Sequence, residues 1–184
     1  MQWMNSRDRY GSVAVWLHWC VAILVLVLYA LGSIGDEVPR GPMRAFLRAA
    51  HESVGLLLFA LVGVRLLWHA VNPTPAAAEG TSRLANAAAS LAHWSLYALL
   101  LAIPATGIAA IWLEGRGVSL FGTTLPSVLM PDRQLAHALE DVHEVLANAI
   151  LWLAAIHAAA AAWHHFVRRD DVLRRMLPRK SAAR

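Results

Sequence analysis

The sequence predicts an all-α fold, a transmembrane four-helix bundle, on three observations. Of 184 residues, 58% are hydrophobic and 15% charged, with a mean hydropathy of +0.49; for a chain of single-domain length this balance suits lipid rather than water as solvent. The charges cluster, leaving four apolar stretches at residues 13–34, 49–71, 84–113 and 143–167. Each has the length of about 20 residues that a helix needs to cross roughly 30 Å of hydrocarbon. Breaker-rich segments at 35–42, 72–80 and 115–131, the second containing Asn72-Pro73-Thr74-Pro75, separate these stretches. No water-soluble domain fits between them, so residues 1–184 are expected to form one integral membrane domain.

The first span carries no charge. Arg7 and Arg9 precede it as they would a signal peptide, but it exceeds a typical signal core and no small-x-small cleavage site follows, so it is expected to be retained. Arg65 is the main interruption of the second span. The third is long and uncharged, and its Pro104 and Gly107 suggest a kink or tilt. The fourth is uncharged over 145–167, with small residues at 158–162 that permit close helix contact.

Four spans put both termini on one side. Eleven of the 16 Lys and Arg residues fall on the terminal side, seven of them in the C-terminal segment (Arg168, Arg169, Arg174, Arg175, Arg179, Lys180, Arg184), against five in the other two connections. Both termini are therefore expected to be cytoplasmic, and a bacterial inner membrane is the default location. The pI near 10.0 comes from this cluster and not from a basic stripe interleaved with aromatics, which argues against nucleic acid. Most of the eight Trp residues lie near span ends, as in interfacial belts. A single cysteine, Cys20, excludes a disulfide framework, a CxxC site and covalent CxxCH haem attachment.

Nine histidines carry the chemistry. His18, His93, His157, His164 and His165 lie within spans, and His51 and His143 at span entrances; polar groups at such depth need a defined partner. Span direction sets depth. It places His51 level with His143 toward the outer face, and His18 level with His157 toward the cytoplasm. Two imidazoles at one depth from different helices suit bis-histidine ligation of a haem iron. His143 and His157 lie 14 residues apart, which at about 100° per residue is within roughly 40° of whole turns and spans about 21 Å. Arg65 repeats that interval from His51 and could pair with a haem propionate.

Other histidines compete for these roles. His69, 18 residues after His51, shares its face but stands beside the Asn-Pro break, so His18 is preferred. A lone membrane histidine such as His93 is more often a helix–helix hydrogen-bonding group than a ligand. A zinc or copper site would need a tighter cluster. His164 lies seven residues past His157 and either lines a quinone pocket or snorkels with His165 among headgroups. His137 acquires no role.

Several segments resemble the bacterial cytochrome b561 family: Leu17-His18-Trp19, His51 with Gly55, Val64-Arg65-Leu66-Leu67 before Pro73-Thr74-Pro75, and His93 to Gly107 with Pro104. Further on, Phe121-Gly122, His143-Glu144, Leu146-Ala147-Asn148, His157-Ala158-Ala159-Ala160, His164-His165 and Leu173-Arg174-Arg175-Met176-Leu177-Pro178-Arg179-Lys180 extend the likeness over almost the whole chain. The resemblance implies a four-helix protein with two haem b groups, ligated by His18, His51, His143 and His157. It also implies superoxide oxidase activity, in which electrons from superoxide pass to ubiquinone and yield dioxygen and ubiquinol without a protein partner. A cationic entrance from Arg40, Arg44 and Arg48 would favour the anion, although residues 114–144 carry five acids against two arginines. The alternatives are a haem b, quinone-reducing anchor subunit of a hydrogenase or formate dehydrogenase, and a small transporter with a histidine proton relay.

Overall fold

The computed structural model describes residues 2–76 and 82–177. Gly80 and the C-terminal Pro178, Arg179, Lys180 and Arg184 lie outside the described residues. Four helices account for most of the rest: α1 (Ser12–Glu37), α2 (Pro42–Val71), α3 (Arg83–Leu113) and α4 (Arg133–Trp163). All four are long and apolar enough to cross a membrane. The fold is the expected four-helix membrane bundle.

The helices outrun the apolar stretches. Pro42 at the first turn of α2, where a missing N–H costs nothing, starts that helix seven residues before its apolar run. Asp132 caps α4 by accepting the N–H of Leu135 (3.0 Å), so α4 begins ten residues before the stretch at 143–167. Ser82 caps α3 in the same way through Ala85. α3 runs unbroken through Pro104. Beyond Trp163, α4 loosens into a π-helical turn (His164–Arg168), and Arg169 follows with φ of 56°, ending the helix in the left-handed conformation.

The segment between α3 and α4 is more ordered than its breaker composition suggests. β1 (Val118–Leu120) and β2 (Thr123–Leu125) pair antiparallel around Phe121-Gly122, both at positive φ (45° and 91°), which is the twist a two-residue hairpin requires. Its Gly and Thr content reads as loop because the strands are only three residues long.

α1 packs along α2, and α3 along α4; contacts between the two helical pairs are sparse and run mainly between α2 and α3. At mid-height the interior is closed by Val21, Leu58, Val62, Leu100 and Ile150, contributed by all four helices. Many large apolar side chains, among them Ile23, Leu26, Leu67, Leu91, Trp152 and Ile156, face outward, as they should where lipid is the solvent. One end of the bundle, the hairpin end, carries β1–β2. At the other, the terminal end, Asn5 bonds Asn72 and Pro73, Arg175 donates to the Ala76 carbonyl (2.7 Å), and Trp19 Nε1 donates to the Met176 carbonyl (2.8 Å), so the described segments before α1 and after α4 gather there.

Candidate functional site

At the hairpin end His51 of α2 and His143 of α4 face each other, with ring centroids 6.1 Å apart. Each ring is oriented by a main-chain carbonyl of a different helix: His51 Nδ1 lies 3.1 Å from the Leu28 oxygen of α1, and His143 Nδ1 lies 2.8 Å from the Ile103 oxygen of α3. A carbonyl can only accept, so both Nδ1 atoms carry the proton and both Nε2 atoms keep a lone pair, the tautomer that metal ligation needs. Thr106, which bonds the Ala102 and Ile103 carbonyls, places its hydroxyl 3.4 Å from His143 Nδ1.

These rings line a cleft of about 380 Å³ between the helical pairs, bounded by apolar side chains such as Leu58, Leu100 and Ile150. Gly32, Gly55 and Gly107 line it too. A Cβ at Gly107 would stand 3.0 Å from both Cε1 and Nδ1 of His143, so the ring uses space that only glycine leaves. Three arginines, Arg44, Arg48 and Arg116, and five acids, Asp36, Glu52, Glu114, Glu140 and Glu144, are among the residues that line the cleft. Arg40, expected in a cationic entrance, is not among the lining residues, and the lining as a whole is not cationic.

Below the apolar layer, toward the terminal end, the rings of His18 (α1) and His157 (α4) are 6.3 Å apart. His93 of α3 joins them, 5.3 Å from the His157 ring. Arg65 sits at this level, as its spacing from His51 predicts, but bonds the protein itself: Nη2 donates to His18 Nδ1 (3.1 Å) and Nε to the Tyr97 hydroxyl (3.0 Å). Since a guanidinium only donates, His18 Nδ1 is the acceptor here and the ring proton sits on Nε2. His69 is turned to Trp94 and Tyr97 of α3, away from the His18–His157 pair, and lines a small cavity of about 30 Å³ with Arg65, Tyr10 and Trp68.

His164 lies in the π-helical turn with Nδ1 2.6 Å from Asp170 Oδ2. His165 packs edge-on against Phe166, and His137 lies on the exposed start of α4, 3.6 Å from Glu140.

An iron held between two imidazoles would set the distance between their rings. A metal–nitrogen bond of about 2 Å, with half an imidazole ring beyond it on each side, puts the two centroids roughly 6 Å apart. The pairs at 6.1 and 6.3 Å meet this, and the 5.3 Å between His93 and His157 is too short for it. The cleft at the hairpin end also has glycine-lined walls and fixed Nε2 lone pairs, so its residues fit a haem. The terminal-end pair fits in spacing and requires Arg65 to leave His18 Nδ1.

The profile of the family described as prokaryotic cytochrome b561 matches residues 9–179. The chain belongs to the prokaryotic cytochrome b561 family. The probable superoxide oxidase CybB of Yersinia pestis is 30% identical over 174 residues, covering 95% of this chain and 98% of that protein. Cytochrome b561 homologs 1 and 2 of Escherichia coli K12 are 30% and 32% identical, over 94% and 99% of this chain and 99% and 98% of those proteins. As a b561 protein the chain is a multi-pass bacterial membrane cytochrome, which binds haem b and transfers electrons.

Within this b561 chain, His93 stands at the level of the His18–His157 pair. It lies nine residues into its apolar stretch, on a span with the same direction as the first, so its depth was as readable as that of His18. Glu52, buried with only 7% of its surface exposed beside His51, was missed because an acid next to a span entrance resembles an interfacial charge.

Proposed function

We propose that this b561 protein is a superoxide:quinone oxidoreductase with two haem b sites, formed by His51 with His143 and by His18 with His157. The observation that carries this reading is the pair of imidazole couples, 6.1 and 6.3 Å apart, on either side of the apolar layer between the helical pairs. Haem, when bound, supplies the one-electron chemistry.

The protein contributes placement and insulation. Leu28 and Ile103 carbonyls fix the tautomer and aim of His51 and His143. The layer of Val21, Leu58, Val62, Leu100 and Ile150 separates the two levels with apolar side chains and keeps water from joining them. Arg65, released from His18, is placed to take a propionate carboxylate. In the overall balance, two superoxide ions each lose one electron and leave as dioxygen, while one ubiquinone takes up two electrons and two protons to become ubiquinol. His164, hydrogen-bonded to Asp170 at the terminal end, is the side chain offered for proton exchange with quinone.

The same proposal makes residues 1–184 one membrane domain in the inner membrane, with both termini cytoplasmic and the hairpin end outside.

One observation favours a second reading. Five acids against three arginines along the cleft do not concentrate an anion. A haem b anchor subunit that receives electrons from a partner protein needs no such attraction. Superoxide-driven ubiquinone reduction by the purified protein alone supports the oxidase; failure without an added partner overturns it in favour of the subunit. The haem assignment is tested by haem quantitation per polypeptide. Single His→Ala changes at positions 18, 51, 143 and 157 should each remove one haem of two, and retention of both in any of them would sink that pairing.

A further inference from the structure

One turn of α2 faces two ways. His51 presents its ring to the cleft, while Glu52 and Ser53 reach the β-hairpin. Glu52 has a side chain only 4% exposed. Its Oε2 accepts the N–H of Ser119 (2.7 Å), and its Oε1 is 3.5 Å from Arg116 Nη1. Arg116 in turn donates from Nε to Glu114 at the end of α3 (2.7 Å). The Ser53 hydroxyl accepts the N–H of Phe121 (3.0 Å), lies 3.2 Å from the Ser119 carbonyl oxygen, and donates to the Ala49 carbonyl (2.7 Å). Between these polar contacts Val118 is 1% exposed and packs as an apolar plug.

Burying a carboxylate is costly unless hydrogen bonds and an opposite charge compensate, and an apolar side chain would fill the same space at less cost. What the acid adds is direction. It ties one strand residue, Ser119, and one guanidinium, Arg116, to the peptide unit next to His51. Because Arg116 also holds Glu114, the chain of contacts links α2 to the end of α3.

We propose that Glu52 is a positioning residue, which clamps β1 to the turn bearing His51 and so keeps the His51 imidazole in the cleft, where an iron bound to it would be closed to foreign ligands. The inference rests on the haem reading of this cleft. The helical turn that carries His51 cannot withdraw from the cleft without turning Glu52 and Ser53 away from Ser119 and Phe121. A bond from His51 to iron would thereby be coupled to the Ser119 and Phe121 contacts of the hairpin, much as outer hydrogen-bond partners secure metal ligands elsewhere.

The test uses the full-length holoprotein in lipid nanodiscs, with Glu52→Ala and Glu52→Gln. Two readouts are taken: carbon monoxide binding to the reduced protein, with the haem of the other level as internal control, and hydrogen exchange at the Ser119 and Phe121 amides. Glu52→Ala should expose the Ser119 amide. It should also speed carbon monoxide binding and haem loss at one level only, by about tenfold or more. Glu52→Gln, which keeps an oxygen for Ser119 but loses the charge facing Arg116, should fall between parent and Ala. Should Glu52→Ala fail to assemble, Ser53→Ala, which removes the acceptor for Phe121, carries the same expectation. An exposed Ser119 amide with unchanged carbon monoxide binding overturns the coupling to His51, and an amide that stays protected overturns the clamp. A parent protein without haem at this level would instead defeat the haem reading, while the exchange data would still judge the clamp.

Discussion

Two glycines on the same cleft make opposite predictions. A methyl group at Gly107 would lie 3.0 Å from the His143 ring, tighter than ordinary packing, whereas at Gly32 the nearest atoms of His51 are at 3.5 and 3.6 Å, a normal van der Waals contact. Gly107→Ala should therefore push His143 off the Ile103 carbonyl and weaken haem retention at the hairpin end about tenfold, the size of effect seen when outer-shell support of a ligand is lost. Gly32→Ala should retain haem as the parent does. Spectral titration of the apoproteins with haem checks both, and equal behaviour of the two variants would contradict the packing argument. At the terminal end Asp170 offers a pH test. Burial pushes its carboxyl up, but the His164 hydrogen bond, the Val172 N–H and the charges of His164 and Arg168 outweigh burial and hold it below its ordinary value of 3.8. A depressed carboxyl stabilises the folded state fully above its unfolded value and loses that contribution as pH falls through the folded one. Amide protection over residues 164–172 should thus decline as pH falls below about 4. Asp170→Asn should be the less protected protein at neutral pH and lose its difference from the parent in acid.

At the scale of elements, α4 matters most because it bears a histidine for each level, and its first turns stand outside the apolar stretch. Asp132 is what starts it there. Asp132→Ala should cost about 1 kcal/mol, the usual worth of such a cap, and show as faster amide exchange over the first turn of α4 while the His157 end is untouched. A loss spread evenly along the helix would mean that the cap is not what sets its start. Helices and strand differ in how far they could be foreseen. The spans follow from runs of apolar residues, which are local, and the pairing of His51 with His143 and of His18 with His157 follows from depth, a one-dimensional quantity. β1 depends on Glu52 and Ser53, more than 60 positions earlier in the chain, and within 115–131 only Phe121-Gly122 marks the turn. Arg65 lies between these cases. Its level was readable from a 14-residue interval, but its bonds to His18 and Tyr97 depend on how α1 and α3 rotate against α2, which no spacing within α2 encodes.

For the whole molecule, the arrangement of two tightly packed helical pairs with sparse contacts between them makes the cleft possible, and the distribution of charge decides which way the cleft faces. Among the described residues the terminal end collects Arg7, Arg9, Arg168, Arg169, Arg174 and Arg175, while at the hairpin end the arginines are offset by the acids along the cleft. Moving arginine-rich segments outward across an energised membrane is disfavoured, so the terminal end should remain cytoplasmic and the His51–His143 cleft should open outside. Single cysteines test this directly. In a Cys20→Ser background, Met130→Cys, at a position 88% exposed in the connection between β2 and α4, should react with a membrane-impermeant maleimide in intact spheroplasts. Asp8→Cys, in the exposed segment before α1, should react only after lysis. The reverse pattern would turn the cleft toward the cytoplasm. Superoxide made outside the cell could not then reach it without crossing the bilayer, and an electron donor on the cytoplasmic side would have to take its place.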